Sequence, residues 1–137
     1  MNFLWENLHA PLYIHYQGGA ITEIVLFHAA LFDAAVITLF AAFAFLVLPR
    51  HFRQWFMLIA GILFAIGLEI FALKTGRWEY AALMPLIPFI NVGLSPALQL
   101  GLTGWLALFL TNRYGTPRAS TRKKSLRTKK RAPHPLM

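Results

Sequence analysis

The sequence contains no cysteine, which excludes disulfide bonds, thiolate metal sites and thiol catalysis. Charge is scarce as well, since only 13% of the residues are charged, about half the share found in a typical soluble domain. Hydrophobic residues make up 58% of the chain. This combination indicates a protein that lies mostly within a lipid bilayer.

Acidic residues are missing after residue 112, where nine Lys and Arg side chains are found. Residues 113–137 are also rich in Ser, Thr and Pro, and such a composition predicts a disordered tail, because it buries too little apolar surface to order itself. The tail has no aromatic interleaving, so we expect no specific contact with nucleic acid. We expect contacts with anionic lipid headgroups from Arg122, Lys123, Lys124, Arg127, Lys129, Lys130 and Arg131.

Three long apolar stretches predict an all-α, small multi-pass membrane protein. They cover residues 20–48, 54–73 and 95–112, within a membrane domain of residues 20–112, and each approaches or exceeds the ~20 residues that cross a bilayer. Residues 1–19 are aromatic and weakly polar, and Pro11 divides them into pieces too short to cross. They are predicted to lie at the membrane interface.

The distribution of basic residues predicts the orientation. The sequence PRHFR at residues 49–53 and the tail both favour the cytoplasmic side. Both reach that side only if two spans separate them, which gives three spans with the N-terminus outside and the C-terminus in the cytoplasm. The expected location is the inner (plasma) membrane of the cell.

The stretch KTGRWEYAALMPLIPFINVGLSPALQLG, residues 74–101, is apolar but contains three prolines. We predict a partly re-entrant, non-helical segment here, followed by a helix with Ser95 as its N-cap and Pro96 at its first position. Counting back from residue 111 at ~1.5 Å per residue, this helix begins below the outer surface. Non-helical backbone at that depth must be covered by protein or water.

Asp33 and Glu69 are acids within predicted spans, where each needs a partner or a proton. Rise along the helices places them at similar depths, roughly 24 Å and 22 Å above the cytoplasmic boundary. We predict that they belong to one polar cluster near the outer face, with further members His28, Lys74, Ser95 and Gln99. Small residues beside the acids predict helix-packing faces, formed by Ala30, Ala34, Ala41, Gly61 and Ala65.

Three functions fit these features. The first is a non-enzymatic accessory or assembly component, either a homo-oligomer or a subunit of a larger complex, in which the cluster holds the helices together. The second is a small oligomeric proton or cation translocator that uses Asp33 and Glu69. The third is a membrane-embedded enzyme that acts on a lipid or isoprenoid. No cofactor and no metal are predicted, because His9, His15 and His28 lack the i, i+4 spacing of a helical metal site.

Overall fold

The computed structural model describes residues 1–115. The predicted tail therefore lies almost wholly outside the described residues, and its lipid contacts stay predictions. Within residues 1–115 the chain is mostly helical, and three of its helices are long and apolar enough to cross a membrane. They are α2 (Glu23–Val47), α3 (Arg50–Lys74) and α4 (Leu94–Tyr114). The predicted fold class is confirmed.

Helix α2 begins three residues later than predicted, because Thr22 is its N-cap. The hydroxyl oxygen of Thr22 accepts a hydrogen bond of 3.4 Å from the backbone N–H of Val25. Helix α3 begins four residues earlier than predicted, directly after Pro49. Arg53, in its first turn, donates to the carbonyls of Phe45 and Leu48 at 3.2 and 2.9 Å. Its guanidinium thereby satisfies carbonyl groups at the end of α2.

Helix α4 begins at Leu94 with Gly93 as its N-cap, so the prediction of Ser95 as the cap is wrong. Ser95 and Pro96 lie within the first turn, where proline is tolerated because the N–H groups there have no partner inside the helix. The side chain of Ser95 is engaged elsewhere, in a hydrogen bond with Nε2 of His9. That bond ties the N-terminal arm to the start of α4.

The proline-rich segment before α4 is non-helical and forms three short strands. They are β2 (Trp78–Tyr80), β3 (Leu86–Ile87) and β4 (Val92–Gly93), and the last two pair as an antiparallel hairpin. Phe89 and Asn91 in the hairpin turn adopt positive φ angles of 73° and 51°. The turn is exposed at Phe89, whereas Val92 is fully buried, so the hairpin anchors the start of α4.

The N-terminal arm folds back onto the bundle. It consists of α1 (Asn2–His9), a 3₁₀ turn (Ala10–Leu12) that contains Pro11, and β1 (Tyr13–Tyr16). Strand β1 pairs with β2 in antiparallel register, with an irregularity between Tyr13 and His15. The arm therefore supplies one strand of the sheet that covers this end of the helices.

Helices α3 and α4 approach closely where two glycines meet. A Cβ atom on Gly61 would lie 2.6 Å from the Cα of Gly101, and a Cβ on Gly101 would lie 2.6 Å from the carbonyl oxygen of Leu58. No side chain fits at either position without separating the helices. Gly61 and Ala65 are both buried on this face.

Helix α2 contacts α3 through phenylalanine rings, which lie beside the buried core of Val36, Ala65 and Leu100. The Phe40 ring lies 6.0 Å from Phe56 and 5.7 Å from Phe64, and Phe43 lies 5.3 Å from Phe56. The small residues of α2 contribute less than the sequence indicates. Ala30 is buried, Ala41 is partly exposed, and Ala34 is exposed. The buried face of α2 instead runs through Leu26, Ala30, Asp33, Val36 and Ala44, so the predicted stripe is wrong at Ala34.

Candidate binding cavity

A cavity of about 450 Å³ lies where the N-terminal half of α2, the C-terminal end of α3 and the start of α4 meet the arm and β2. The short link between α2 and α3 holds their other ends together. Apolar side chains form most of the lining of the cavity, and three carboxyl groups lie in the cavity. These acids are Glu6, Asp33 and Glu69.

The amide of Gln99 holds two of these carboxyl groups. Its Nε2 atom donates to Oδ2 of Asp33 and to Oε1 of Glu6. Asp33 and Gln99 are each only 7% exposed. Gln99 lies one turn into α4, so the helix start that was predicted to approach Asp33 does reach it.

Glu69 has a separate set of partners. Its carboxylate accepts hydrogen bonds from the hydroxyl of Tyr80, from Nε1 of Trp78 at 3.2 Å, and from the hydroxyl of Tyr13 at 3.4 Å. Strands β1 and β2 bring these aromatic donors together above the end of α3. Glu69 is 5% exposed, and its three donors compensate the removal of the carboxylate from water.

Asp33 and Glu69 line the same cavity, as their similar predicted depths indicate, but no hydrogen bond joins them. The acid that shares a donor with Asp33 is Glu6, which belongs to the N-terminal arm. Of the two acids predicted to share a cluster, Asp33 therefore pairs with Glu6, and Glu69 has aromatic donors of its own.

Apart from Gln99, the other predicted members of the cluster make no hydrogen bond to the acids. His28 is exposed at the rim of the cavity, where its Nδ1 donates to the carbonyl oxygen of Ile24 at 2.8 Å. Lys74 is exposed at the end of α3 and does not line the cavity. Ser95 bonds His9. Lys74 therefore does not join the predicted cluster.

Direct charge pairing is rare in this region. Among residues 1–115, the one ion pair within 4 Å joins His15 and Glu79 at 3.5 Å. Arg77 also lies at the rim, and its guanidinium carbon lies 5.1 Å from the centre of the Phe71 ring. The acids inside the cavity consequently have neutral hydrogen-bond donors as their immediate partners.

The groups outside the long helices are perturbed by burial. Burial raises the pKa of Glu6, despite the hydrogen bond that it accepts from Gln99. Burial also raises the pKa of the Tyr13 and Tyr80 phenols, and the neighbouring Glu69 carboxylate raises both further. Both phenols therefore remain protonated and act as donors. Burial lowers the pKa of His9, so its imidazole is neutral over a wider range of pH.

Four members of the site could not be recognised from the sequence: Glu6, Tyr13, Trp78 and Tyr80. Their residue types indicated only an interfacial arm and an aromatic surface segment. Glu6 and Gln99 are 93 positions apart, and the pattern around Glu6 does not indicate that separation. The pairing of β1 with β2 is what brings the aromatic donors to Glu69.

Within residues 1–115, no group of three or more His, Asp or Glu side chains is arranged to hold a metal ion. Comparison with family models, with curated proteins and with solved structures gave no match. The cavity is therefore the feature of the molecule that indicates a function.

Proposed function

We propose that this chain is an integral membrane protein that binds a positively charged ligand in the cavity, in exchange for a proton held between Glu6 and Asp33. The observation that carries the proposal is the pair of carboxyl groups on the single amide of Gln99. Two adjacent carboxylates with one shared donor favour a bound proton, because like charges at short range oppose ionisation of both. An arriving cation replaces that proton.

The proposed orientation has the cavity on the outer side of the inner (plasma) membrane and the tail in the cytoplasm. Arg50, His51 and Arg113 line one hollow at the opposite end of the bundle, so the basic start of α3 and the end of α4 lie on the same side. This arrangement supports a cytoplasmic position for that end.

Cysteine labelling tests the orientation, since the chain has no cysteine of its own. Thr75→Cys, next to the cavity end, should react with an impermeant maleimide in intact cells. Gln54→Cys, at the opposite end, should react only after permeabilisation. The reverse pattern would overturn the proposed orientation and leave the cavity itself untouched.

Proton release tests the binding function. Purified protein in weakly buffered micelles is titrated with methylammonium chloride in the presence of a pH indicator. We expect about one proton to be released per protein at saturation, because the pair shares one proton. Glu6→Gln and Asp33→Asn should abolish the release. Glu23→Gln is the matched control, because Glu23 is an exposed acid in the first turn of α2 that does not line the cavity.

Binding from one side describes this protomer better than a through-going pathway. Next to the cavity, Val36, Ala65 and Leu100 form a buried hydrophobic cluster with Phe40 packed against it, so apolar side chains fill the space between the helices. The proton or cation translocator predicted from Asp33 and Glu69 therefore needs a second step that opens this layer. A proton flux in liposomes that Asp33→Asn removes would support that step.

A structural role is the second candidate, and it corresponds to the accessory or assembly component predicted from the sequence. The three donors on Glu69 favour it, because they tie β1 and β2 to α3 without leaving the carboxylate free. In that case Glu69→Gln lowers thermal stability, no cation is bound, and the protein co-purifies with a partner in mild detergent. Proton release by methylammonium would count against a purely structural role.

A further inference from the structure

The cavity has two kinds of lining that together define a ligand. Trp78 and Tyr16 form one aromatic wall, with ring centres 6.3 Å apart in a stacked arrangement. Phe32 of α2 and Leu68 of α3 contribute a second apolar wall. A volume of about 450 Å³ with mostly apolar walls and a few polar groups is typical of a small organic ligand site rather than of an ion site.

The two acid sites in the cavity differ in how well their oxygens are satisfied. Glu69 accepts three hydrogen bonds. Asp33 and Glu6 each accept one side-chain hydrogen bond, both from Gln99. Two carboxyl groups offer about eight lone-pair positions in all, so the Asp33–Glu6 pair has acceptors left over.

A primary ammonium group matches these free acceptors. It carries a positive charge and three N–H donors, whereas a quaternary ammonium has no donor to give. A metal ion is a poorer match, because no group of three ligating side chains is present in the described part of the chain.

The rim limits the total charge of the ligand. Arg77, His15 and His28 all line the cavity near its opening. A second positive charge that reached this exposed edge would lie near the guanidinium of Arg77, and like charges there oppose binding. The rim thus disfavours diamines and polyamines.

We propose that the cavity takes a primary monoamine with an apolar, ring-bearing body. Its ammonium group lies on Glu6 and Asp33, and its body lies between the Trp78–Tyr16 wall and Phe32. This inference rests on the proposed function and specifies its ligand class.

Calorimetric titration of the purified full chain in micelles tests the inference with five matched probes. They are 2-phenylethylamine, 2-phenylethanol, the trimethylammonium derivative of phenylethylamine, methylamine and 1,6-diaminohexane. We expect 2-phenylethylamine to bind at least about tenfold more tightly than each of the others. The alcohol and the trimethylammonium probe lose the charged hydrogen-bonded contact, which accounts for a factor of that size. Methylamine lacks the apolar body, and the diamine carries a second charge. Micelle partitioning is subtracted with protein-free micelles.

Variants assign the binding to the two ends of the ligand. Glu6→Gln should weaken phenylethylamine by about tenfold and Phe32→Ala by a smaller factor, while Glu23→Gln binds as the wild type does. Glu6 lies outside the long helices, so this variant tests the ammonium site even if Asp33→Asn fails to fold. Size-exclusion chromatography verifies that each variant is monodisperse.

The outcomes separate this inference from the proposed function. If methylamine or the trimethylammonium probe binds as tightly as phenylethylamine, the cation site stands and the monoamine class is overturned. If the diamine binds most tightly, the proposed limit on the charge of the ligand is overturned. If the alcohol binds as tightly as the amine, the monoamine class is overturned, and proton release by methylammonium then decides whether the cation site stands. If no amine binds and methylammonium releases no proton, both proposals fall.

Discussion

The α3–α4 interface and the region around α2 hold the molecule together in different ways. Gly61 and Gly101 bring the backbones of α3 and α4 into direct contact, with no room for a side chain. On the other side, α2 touches α3 through large aromatic rings, and the gap at its N-terminal half is closed by the arm and by hydrogen bonds. Close packing holds α3 against α4. Between α2 and the other helices, polar contacts border a cavity.

The difference teaches which substitutions should matter for stability and which for binding. Within a bilayer, helix association depends on close van der Waals contact and on hydrogen bonds, since lipid is as apolar as leucine. The glycine contact between α3 and α4 supplies the van der Waals contact, and the side chains of the acid-lined cavity supply the hydrogen bonds. Changes at the glycines should therefore damage the whole fold, whereas changes in the cavity should act locally.

The largest effect is expected from Gly61→Ala or Gly101→Ala. Each new methyl group would lie 2.6 Å from backbone atoms of the facing helix, so the helices must separate. Overpacking of this kind costs about 1–3 kcal/mol or more. We expect a clear fall in the midpoint of thermal unfolding, measured in micelles by circular dichroism.

Gly67→Ala provides the control for the glycine contact. It lies in the same helix, but an added Cβ meets nothing within 4 Å. Replacing a helical glycine by alanine without a clash is favourable by roughly 0.5–1 kcal/mol, so the midpoint should rise or stay unchanged. Equal losses at Gly61 and Gly67 would show that the close contact does not carry the stability.

A smaller loss is expected from Glu69→Gln. The amide keeps one acceptor oxygen but turns an NH₂ group towards the donors of Tyr13, Trp78 and Tyr80, so at least one donor loses its partner. An unsatisfied buried donor costs about 1–3 kcal/mol. The loss should lie at the lower end of that range, because the Tyr13 hydroxyl can accept a hydrogen bond from the new NH₂ group. The midpoint of thermal unfolding should fall by less than it does for Gly61→Ala. Tryptophan fluorescence should also change.

Glu79→Gln is the comparison for Glu69. Glu79 lies on the same strand as Trp78 and Tyr80, but its side chain is 66% exposed and pairs only with His15. Exposed pairs of this kind contribute little, about 0–1 kcal/mol. A loss at Glu79 as large as that at Glu69 would contradict the role given to the three aromatic donors.

The predictable parts of the structure are those with a local cause. Long apolar runs indicated three helices, and the prolines indicated a non-helical segment before α4. Rise along the helices was enough to place Asp33 and Glu69 in one region. The Glu6–Gln99 contact could not be predicted in this way, because it depends on how the arm folds back. The prediction that Ala34 packs against another helix was wrong, because small side chains alone do not indicate which face of α2 meets α3.

The smallest effect concerns the docking of α1 and its dependence on pH. Burial raises the pKa of Glu6 above its ordinary value of 4.5, so the docked arm binds a proton more tightly than the free arm. The contribution of Glu6 to docking is complete below pH 4.5 and is lost as the pH rises from there through the raised pKa. Glu6→Gln stays neutral and lacks this loss.

Hydrogen exchange of the α1 amides measures the docking. At each pH the rates are divided by those of an unstructured peptide, and the wild type is compared with Glu6→Gln. His9, whose lowered pKa acts in the opposite direction below pH 6.5, is present in both proteins and cancels in the difference. We expect protection of α1 in the wild type, relative to the variant, to decrease with rising pH. A difference that is flat, or that increases with pH, would mean that Glu6 does not hold a proton when α1 is docked, and would remove the basis for proton exchange in the cavity.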